Sequence, residues 1–167
     1  IVRAHGVAPF VRRMLADKVC VVIDATCPKV ARVQKMAQRA GEAGRKVVIA
    51  GDKDHAEVRG VLGHAGAGGV CISTVEEARS LDLDSPALLV AQTTFSMEDF
   101  AAIARVLVER CPDLEVQNTI CDATSERQEE ARRMASRMDA IVIVGGRTSA
   151  NTRRLAEIIT GIGRPAF

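Results

Sequence analysis

A turn of one build occurs twice in this chain, and its spacing restricts the fold more than any other feature. Cys27 and Cys121 stand 94 positions apart, and the same offset separates Gly51 from Gly145, His55 from Ser149 and Glu57 from Asn151. Four landmarks sharing one offset point to a duplicated structural unit. The first turn, Asp24-Ala25-Thr26-Cys27-Pro28, follows the apolar run 19–23 and precedes a helical pattern; the second, Thr119-Ile120-Cys121-Asp122-Ala123-Thr124, follows the short pattern Leu114–Val116 and precedes a charged helix. An apolar β-branched run, a polar turn and a helix are how a buried parallel strand brings a residue to the rim of an α/β sheet, where ligands bind.

Read in order, the chain alternates strands and helices, which predicts α/β units with a mostly parallel sheet. Strands are expected at 1–4, 19–23, Lys46–Ala50, 70–73, Ala87–Ala91, Leu114–Val116 and 140–144. Helices are expected at 9–17, 28–43, 75–81, Met97–Arg110, 124–138 and 150–162, with a short helix or turn after His55. In the second helix Val30, Val33, Ala37 and Ala40 are spaced for one buried face, and Gly44 closes it as a C-terminal cap. Thr74 with Glu77 forms a capping box, and Ser96 caps the helix that starts at Met97. The repeat divides the chain into 1–18, the end of one α/β unit; 19–112, a complete second unit; and 113–167, the start of a third. Ile1 and Phe167 both fall where a strand is under way or about to begin, so the expectation is an internal piece of a longer polypeptide.

With 47% apolar and 26% charged residues, a globular core of Val, Ile, Leu, Ala and Met is expected, since Trp and Tyr are absent and Phe numbers four. That scarcity of aromatics, and a net charge of only +2 with the two signs interspersed, argue against nucleic acid as a partner. No apolar run approaches the length of a membrane span and no signal segment opens the chain, so a cytoplasmic location is expected. Five Cys without scaffold spacing suit reduced thiols. Cys20, Cys71 and Cys111 read as small buried apolar groups.

Cys27 and Cys121 admit two readings: buried thiols of homologous units, or two ligands of a metal or cluster on the axis relating those units. Two thiols are too few for a cluster, so a third unit would have to supply another. His5, His55 and Glu57 form a second group at strand ends. A His can hydrogen-bond an anion, and a carboxyl held near bound phosphates can serve as a proton donor. The plainer alternative is that the histidines cap turns and Glu57 is solvated, as is expected for His64. His55 and Glu57, two apart, are expected to point the same way in an extended turn. Ser149 and Asn151 precede a helix whose N-terminus suits phosphate, although as caps they need no ligand. Gly145-Gly146 has neither dinucleotide-binding nor Walker A spacing.

Ala4 to Val7 (AHGV), Asp24 to Pro28 (DATCP), His55 to Val58 (HAEV), Ala91 to Thr94 (AQTT), Cys121 to Gln128 (CDATSERQ) and Ser149 to Glu157 (SANTRRLAE) together resemble the hydroxymethylbutenyl diphosphate reductase (LytB) family, in the family's order and over the whole chain. The resemblance implies a trefoil of repeated α/β domains, with mostly parallel sheets, around a central iron–sulfur site. It implies a 4Fe–4S cluster with Cys27 and Cys121 as two of three cysteine ligands. His5, His55, Ser149 and Asn151 match diphosphate-binding positions, Glu57 the proton-delivering acid, and Thr93 the hydroxyl that works with it and with substrate. The implied reaction is two-electron reductive loss of water from an allylic diphosphate, with ferredoxin or flavodoxin as electron donor. Ala56 stands where the family usually has Pro, and Ala150 where it has a second Ser. The first cluster Cys, an N-terminal His and a C-terminal Ser have no counterpart, so activity is expected of the parent protein and not of this chain alone. The alternatives are a metal-free α/β module that binds a phosphorylated small molecule through Ser149, Asn151 and His55, or a catalytically dead repeat protein.

Overall fold

The computed structural model describes residues 1–18, 21–83 and 86–167. Its centre is a four-stranded sheet made of β1 (Lys46–Ala50), β2 (Gly69–Ile72), β3 (Ala87–Ala91) and β4 (Leu114–Val116), in the order β2-β1-β3-β4 with every pairing parallel. β1 and β3 are the middle strands and align Val48 with Leu89 and Ile49 with Val90. Continuous apolar sequence, not alternation, is what a strand covered on both faces requires, and each of Val47 to Ala50 and Ala87 to Ala91 is at most 3% exposed. Each such Val, Leu or Ile contributes about 1.5–3 kcal/mol by leaving water.

Helices cover both faces. On one lie α2 (Pro28–Glu42) and α3 (Ala56–Ala65), which pack Val33, Ala37, Ala40, Val58 and Val61 on Val47, Ile49, Leu88 and Val90. On the other lie α4 (Val75–Ser80) and α5 (Met97–Arg110), which pack Ala78, Phe100, Ile103 and Leu107 on Val48, Leu89 and Ala91. α2 and α3 approach closely because Gly41 has no side chain: a Cβ there would collide with the Ala65 carbonyl. The expected face of α2 is buried at Val30, Val33, Ala37 and Ala40, and Gly44 follows the helix at φ +74°, the left-handed conformation suited to a glycine stop. The Thr74 hydroxyl accepts the Glu77 N–H at 3.2 Å; the Glu77 carboxylate takes the Ser73 N–H at 2.6 Å, one residue before the cap it was expected to bond.

α1 (Pro9–Ala16) precedes this layer, and α6 (Asp122–Ala135) and α7 (Ala150–Gly161) follow it with a small core of their own, Ala131, Ala135, Ile141 and Ile159. Three expected strands, 1–4, 19–23 and 140–144, are reduced to isolated bridges among the described residues. Residues 19 and 20 lie outside the described residues; beyond them a single parallel bridge joins Val2 to Asp24, and Val21 is 91% exposed. In place of a strand at 140–144 there is one parallel bridge, Ile141 to Ala166, with Val142 and Val144 exposed. The runs 19–23 and 140–144 have β sequence, but among the described residues each meets only a step or two of partner chain, which leaves Val21, Val142 and Val144 exposed. Helix α6 begins two residues earlier than the periodicity suggests, because Cys121 acts as its N-cap.

Candidate active site

The site lies at the carboxyl ends of β1 and β3. The turn after β1 starts at Gly51, where a Cβ would come within 2.8 Å of Val58 Cγ2 and 3.0 Å of Gln92 Cβ, so only glycine lets the chain turn this close under α3. In the matching position Gly145 is crowded in the same way by Thr152, seven residues on, as Val58 is from Gly51. His55 then caps α3: its Nδ1 accepts the Glu57 N–H at 3.3 Å. This corrects the extended-turn expectation. Glu57 is in the first helical turn and points inward, not alongside His55.

Glu57 is 1% exposed. Its Oε1 accepts the Thr93 N–H at 2.7 Å and its Oε2 accepts the Thr93 hydroxyl at 2.8 Å. Burial pushes the carboxyl above the ordinary range, opposed by the two Thr93 hydrogen bonds and the nearby His5. A carboxyl so placed can hold a proton at higher pH than a free one and release it with its orientation fixed. The structure brings Glu57 and Thr93 into direct contact. The plain reading of Glu57 as solvated does not hold, since the side chain is buried.

The rings of His5 and His55 meet edge to face, 5.0 Å between centroids. Burial, and then His5, hold His55 below its usual range. The neutral tautomer follows from the cap as well, since Nδ1 must be free to accept, which leaves Nε2–H to donate. His5 reaches this place through Gly6, at φ +66°, where a Cβ would also strike Gln34. Both rings line an open cavity of about 620 Å³ with Arg3, Thr148 and Arg153. His64 is on the opposite, amino-terminal side of the sheet, beside a different cleft with Arg13 and Arg45.

Cys27 and Cys121 are the N-caps of α2 and α6. Each has its N–H bonded at 2.9 Å to a neighbouring turn, Cys27 to Ala4 beside His5 and Cys121 to Thr93, the partner of Glu57. Asp24 shapes the first turn by accepting the Thr26 N–H at 3.0 Å, and Pro28 occupies the first helical position. Lys29 and Asp122, just inside the two helices, pair at 2.6 Å and bring the two Cys-bearing ends together. Each sulfur sits at the positive end of a helix dipole, a place suited to an anionic ligand. Among the described residues no group of three or more His, Cys, Asp or Glu could hold a metal. The donor chemistry of the pair fits an iron–sulfur cluster, but only as two of its ligands. Cys71, at the carboxyl end of β2, is raised to about 11 by burial, and Cys111 is 1% exposed, both consistent with inert thiols.

Ser149 caps α7, its hydroxyl accepting the Thr152 N–H at 3.4 Å, and Asn151 follows two residues on. Asn151 Oδ1 is shielded from solvent and has no hydrogen-bond partner, an orphaned amide end that the plain cap reading leaves unexplained. Sequence reasoning missed several residues that hold these parts. Gln92 is 1% exposed; it accepts the Asp52 N–H at 2.8 Å and donates to the Thr94 hydroxyl at 2.8 Å. Gln128, fully buried, donates to the Phe95 carbonyl at 2.9 Å and accepts from Met97 N–H at 3.2 Å. The Thr119 hydroxyl caps the end of β3 through both backbone groups of Ala91. Gln92 and Gln128 fall within the motifs that carry the resemblance and Thr119 within the second Cys turn, but nothing local in the sequence shows which backbone groups they hold.

A parallel α/β sheet with a buried carboxyl, paired imidazoles and two capping thiols at its carboxyl edge defines a class: an α/β unit whose polar and ligand-type side chains gather at that edge. The family model described as LytB protein matches residues 1–167, and the chain belongs to that family. Curated relatives called 4-hydroxy-3-methylbut-2-enyl diphosphate reductase include one from Solidesulfovibrio magneticus, 43% identical over 99% of this chain and 59% of its own length, and one from Desulfovibrio desulfuricans, 42% identical over 95% and 56%. The chain thus spans less than two thirds of these relatives. It is also similar to the solved E-1-hydroxy-2-methyl-but-2-enyl-4-diphosphate reductase of Plasmodium falciparum, with a TM-score of 0.92 and 30% identity over 98% of this chain and 53% of that one. A second solved structure, of the (E)-4-hydroxy-3-methyl-but-2-enyl diphosphate reductase described as the terminal enzyme of the non-mevalonate pathway, matches at TM-score 0.70 and 36% identity, covering 99% of this chain and 60% of that one.

Proposed function

We propose that the whole protein is a 4-hydroxy-3-methylbut-2-enyl diphosphate reductase, which removes the allylic hydroxyl as water with two electrons and two protons and yields isopentenyl and dimethylallyl diphosphates. The observation that carries this is the Glu57–Thr93 pair, a buried carboxyl fixed by two hydrogen bonds at the same sheet edge as two histidines and two capping thiols. Cys27 and Cys121 would hold a 4Fe–4S cluster together with a third Cys. When bound, the cluster supplies the electrons and a Lewis-acidic iron for the hydroxyl.

The chain's own residues do the rest. His55, neutral with its Nε2–H free, donates to the diphosphate beside His5, and Ser149 and Asn151 meet it from the N-terminus of α7, whose dipole favours the negative charge. Glu57 holds a proton in its neutral form for the departing hydroxyl, and the Thr93 hydroxyl keeps the carboxyl aimed and contacts the substrate. The repeat offset, the equivalent caps at Cys27 and Cys121, and those at His55 and Ser149, support units at 1–18, 19–112 and 113–167 arranged as parts of a trefoil. Ferredoxin or flavodoxin is the electron donor in this reading, and the location is cytoplasmic. Among the described residues no helix is long and apolar enough to cross a membrane.

The test is anaerobic reconstitution of the whole protein and assay of substrate-dependent oxidation of a reduced viologen. Turnover, with the iron–sulfur absorption lost in both Cys27→Ser and Cys121→Ser, is expected. A protein that binds no iron yet binds pyrophosphate would instead establish the metal-free phosphate-binding module.

A further inference from the structure

The α6–α7 pair carries its own small apolar core, separate from the clusters on the central sheet. Something other than that core must therefore set how far the N-terminus of α7, with Ser149 and Asn151, stands from the His55 turn and the Glu57–Thr93 pair. The side chain best placed to do so is Arg154, one turn into α7. It is largely buried, with 16% of its side chain exposed. Its Nη2 lies 3.4 Å from Asp52 Oδ1, and its Nη1 lies 2.7 Å from Glu157 Oε2 and 3.8 Å from Asp99 Oδ2. The guanidinium also stacks over Phe95, 5.1 Å from the ring centroid, and Phe95 is itself 1% exposed.

These partners belong to the parts of the site that have to stay in register. Asp52 opens the turn that ends in His55, whose N–H bonds the Asp52 carbonyl at 2.9 Å. Gln92 holds Asp52 from the other side, donating to Asp52 Oδ2 at 3.3 Å, and Gln92 is followed by Thr93, the partner of Glu57. Phe95 and Asp99 belong to the turn and first helical turn after β3. One planar cation thus joins α7 to the turns after both central strands, and it faces three carboxylates that would repel one another without it. Elsewhere the α6–α7 unit meets the central layer through α6, by the Gln128 bonds to Phe95 and Met97 and the Arg132–Glu98 pair at 3.0 Å, while the α7 side opens on a cleft of about 430 Å³ lined by Ser96, Asp99, Arg154, Glu157 and Ile158.

We infer that Arg154 is a positioning residue that fixes the diphosphate-binding end of α7 against the His55 turn, and so sets the span over which the anion is bound. This rests on the reading of the site given above. Lys at this position would keep the charge but could neither fork between two carboxylates nor stack on Phe95 as guanidinium does.

The test uses the whole, cluster-loaded protein with Arg154→Ala and Arg154→Lys, and measures both steady-state kinetics and amide hydrogen exchange. In Arg154→Ala, KM for the allylic diphosphate is expected to rise roughly tenfold with kcat changed much less, the mark of lost binding and not lost chemistry. Exchange is expected to quicken at residues 148–153 and 52–56 and not in β1 or β3, and Arg154→Lys is expected to recover part of both effects. Unchanged KM and unchanged local exchange would overturn the inference. So would faster exchange throughout the molecule with no recovery by lysine, because that describes a general stability role. If the wild-type protein does not turn over the allylic diphosphate, the proposed function fails, and local exchange alone still decides the role of Arg154.

Discussion

Thr93→Val removes one oxygen from the site and nothing else of comparable size, so its consequence can be worked out from the geometry. In the wild type the Thr93 hydroxyl donates to Glu57 Oε2 at 2.8 Å inside a core where Glu57 is 1% exposed. A hydrogen bond to a charged group is worth about 1.5–3 kcal/mol, and one between neutral groups about 0.5–1.5 kcal/mol. Loss of the hydroxyl therefore penalises the ionised carboxyl by about 1 kcal/mol more than the neutral one. Because burial already raises Glu57 above 4.5, the folded state binds a proton that the unfolded state releases as pH rises from there. The carboxyl thus lowers stability progressively as pH rises through its folded pKa, and Thr93→Val steepens that loss. Urea unfolding of the whole protein at pH 5 and pH 9 should show the variant less stable than wild type at both, with the larger deficit at pH 9. An equal deficit at both would mean that Glu57 does not change charge between these pH values, and a deficit confined to pH 5 would mean that the hydroxyl favours the neutral carboxyl; either outcome refutes the reasoning.

Glu57→Gln should abolish that pH dependence of stability and reduce turnover by roughly 10²-fold or more in the viologen assay, the low end of what a positioned proton donor contributes. Ala56→Pro should stabilise by about 0.4–1 kcal/mol in thermal melts, since Ala56 is the first residue of α3, His55 before it is already extended at φ −69° and ψ 138°, and proline restricts the unfolded chain. Gly41→Ala should destabilise despite a helix-propensity gain of about 0.8–1 kcal/mol, because the added methyl is driven into the Ala65 backbone and overpacking costs about 1–3 kcal/mol. Gly161→Ala, with nothing within 4 Å of the new Cβ, should show the propensity gain alone when melted in parallel.

The central sheet was legible because its signals are local. β1, β3 and β4 begin and end where the apolar runs do, and Pro28, Thr74 and Ser96 mark helix starts by capping chemistry that needs no knowledge of the rest of the molecule. The strands expected at 19–23 and 140–144 show the limit of that reasoning. Their composition is that of β structure, but a ladder depends on what lies alongside, and Val142 and Val144 have no neighbour that buries them.

The same division runs through the site. The 94-residue offset, and the placing of Cys27, His55, Cys121 and Ser149 just before helices, were properties of the sequence alone, because turn and cap preferences are set by residues a few positions apart. That Glu57 turns inward onto Thr93, 36 positions later, that Gln92 holds Asp52, and that Arg154 reaches Asp52 from 102 positions away are decisions of the tertiary structure. Parallel pairing of β1 with β3 brings these groups within hydrogen-bond reach, and burial then makes each bond strong enough to matter. Sequence determined which residues stand at the rim; packing alone determined which of them face one another.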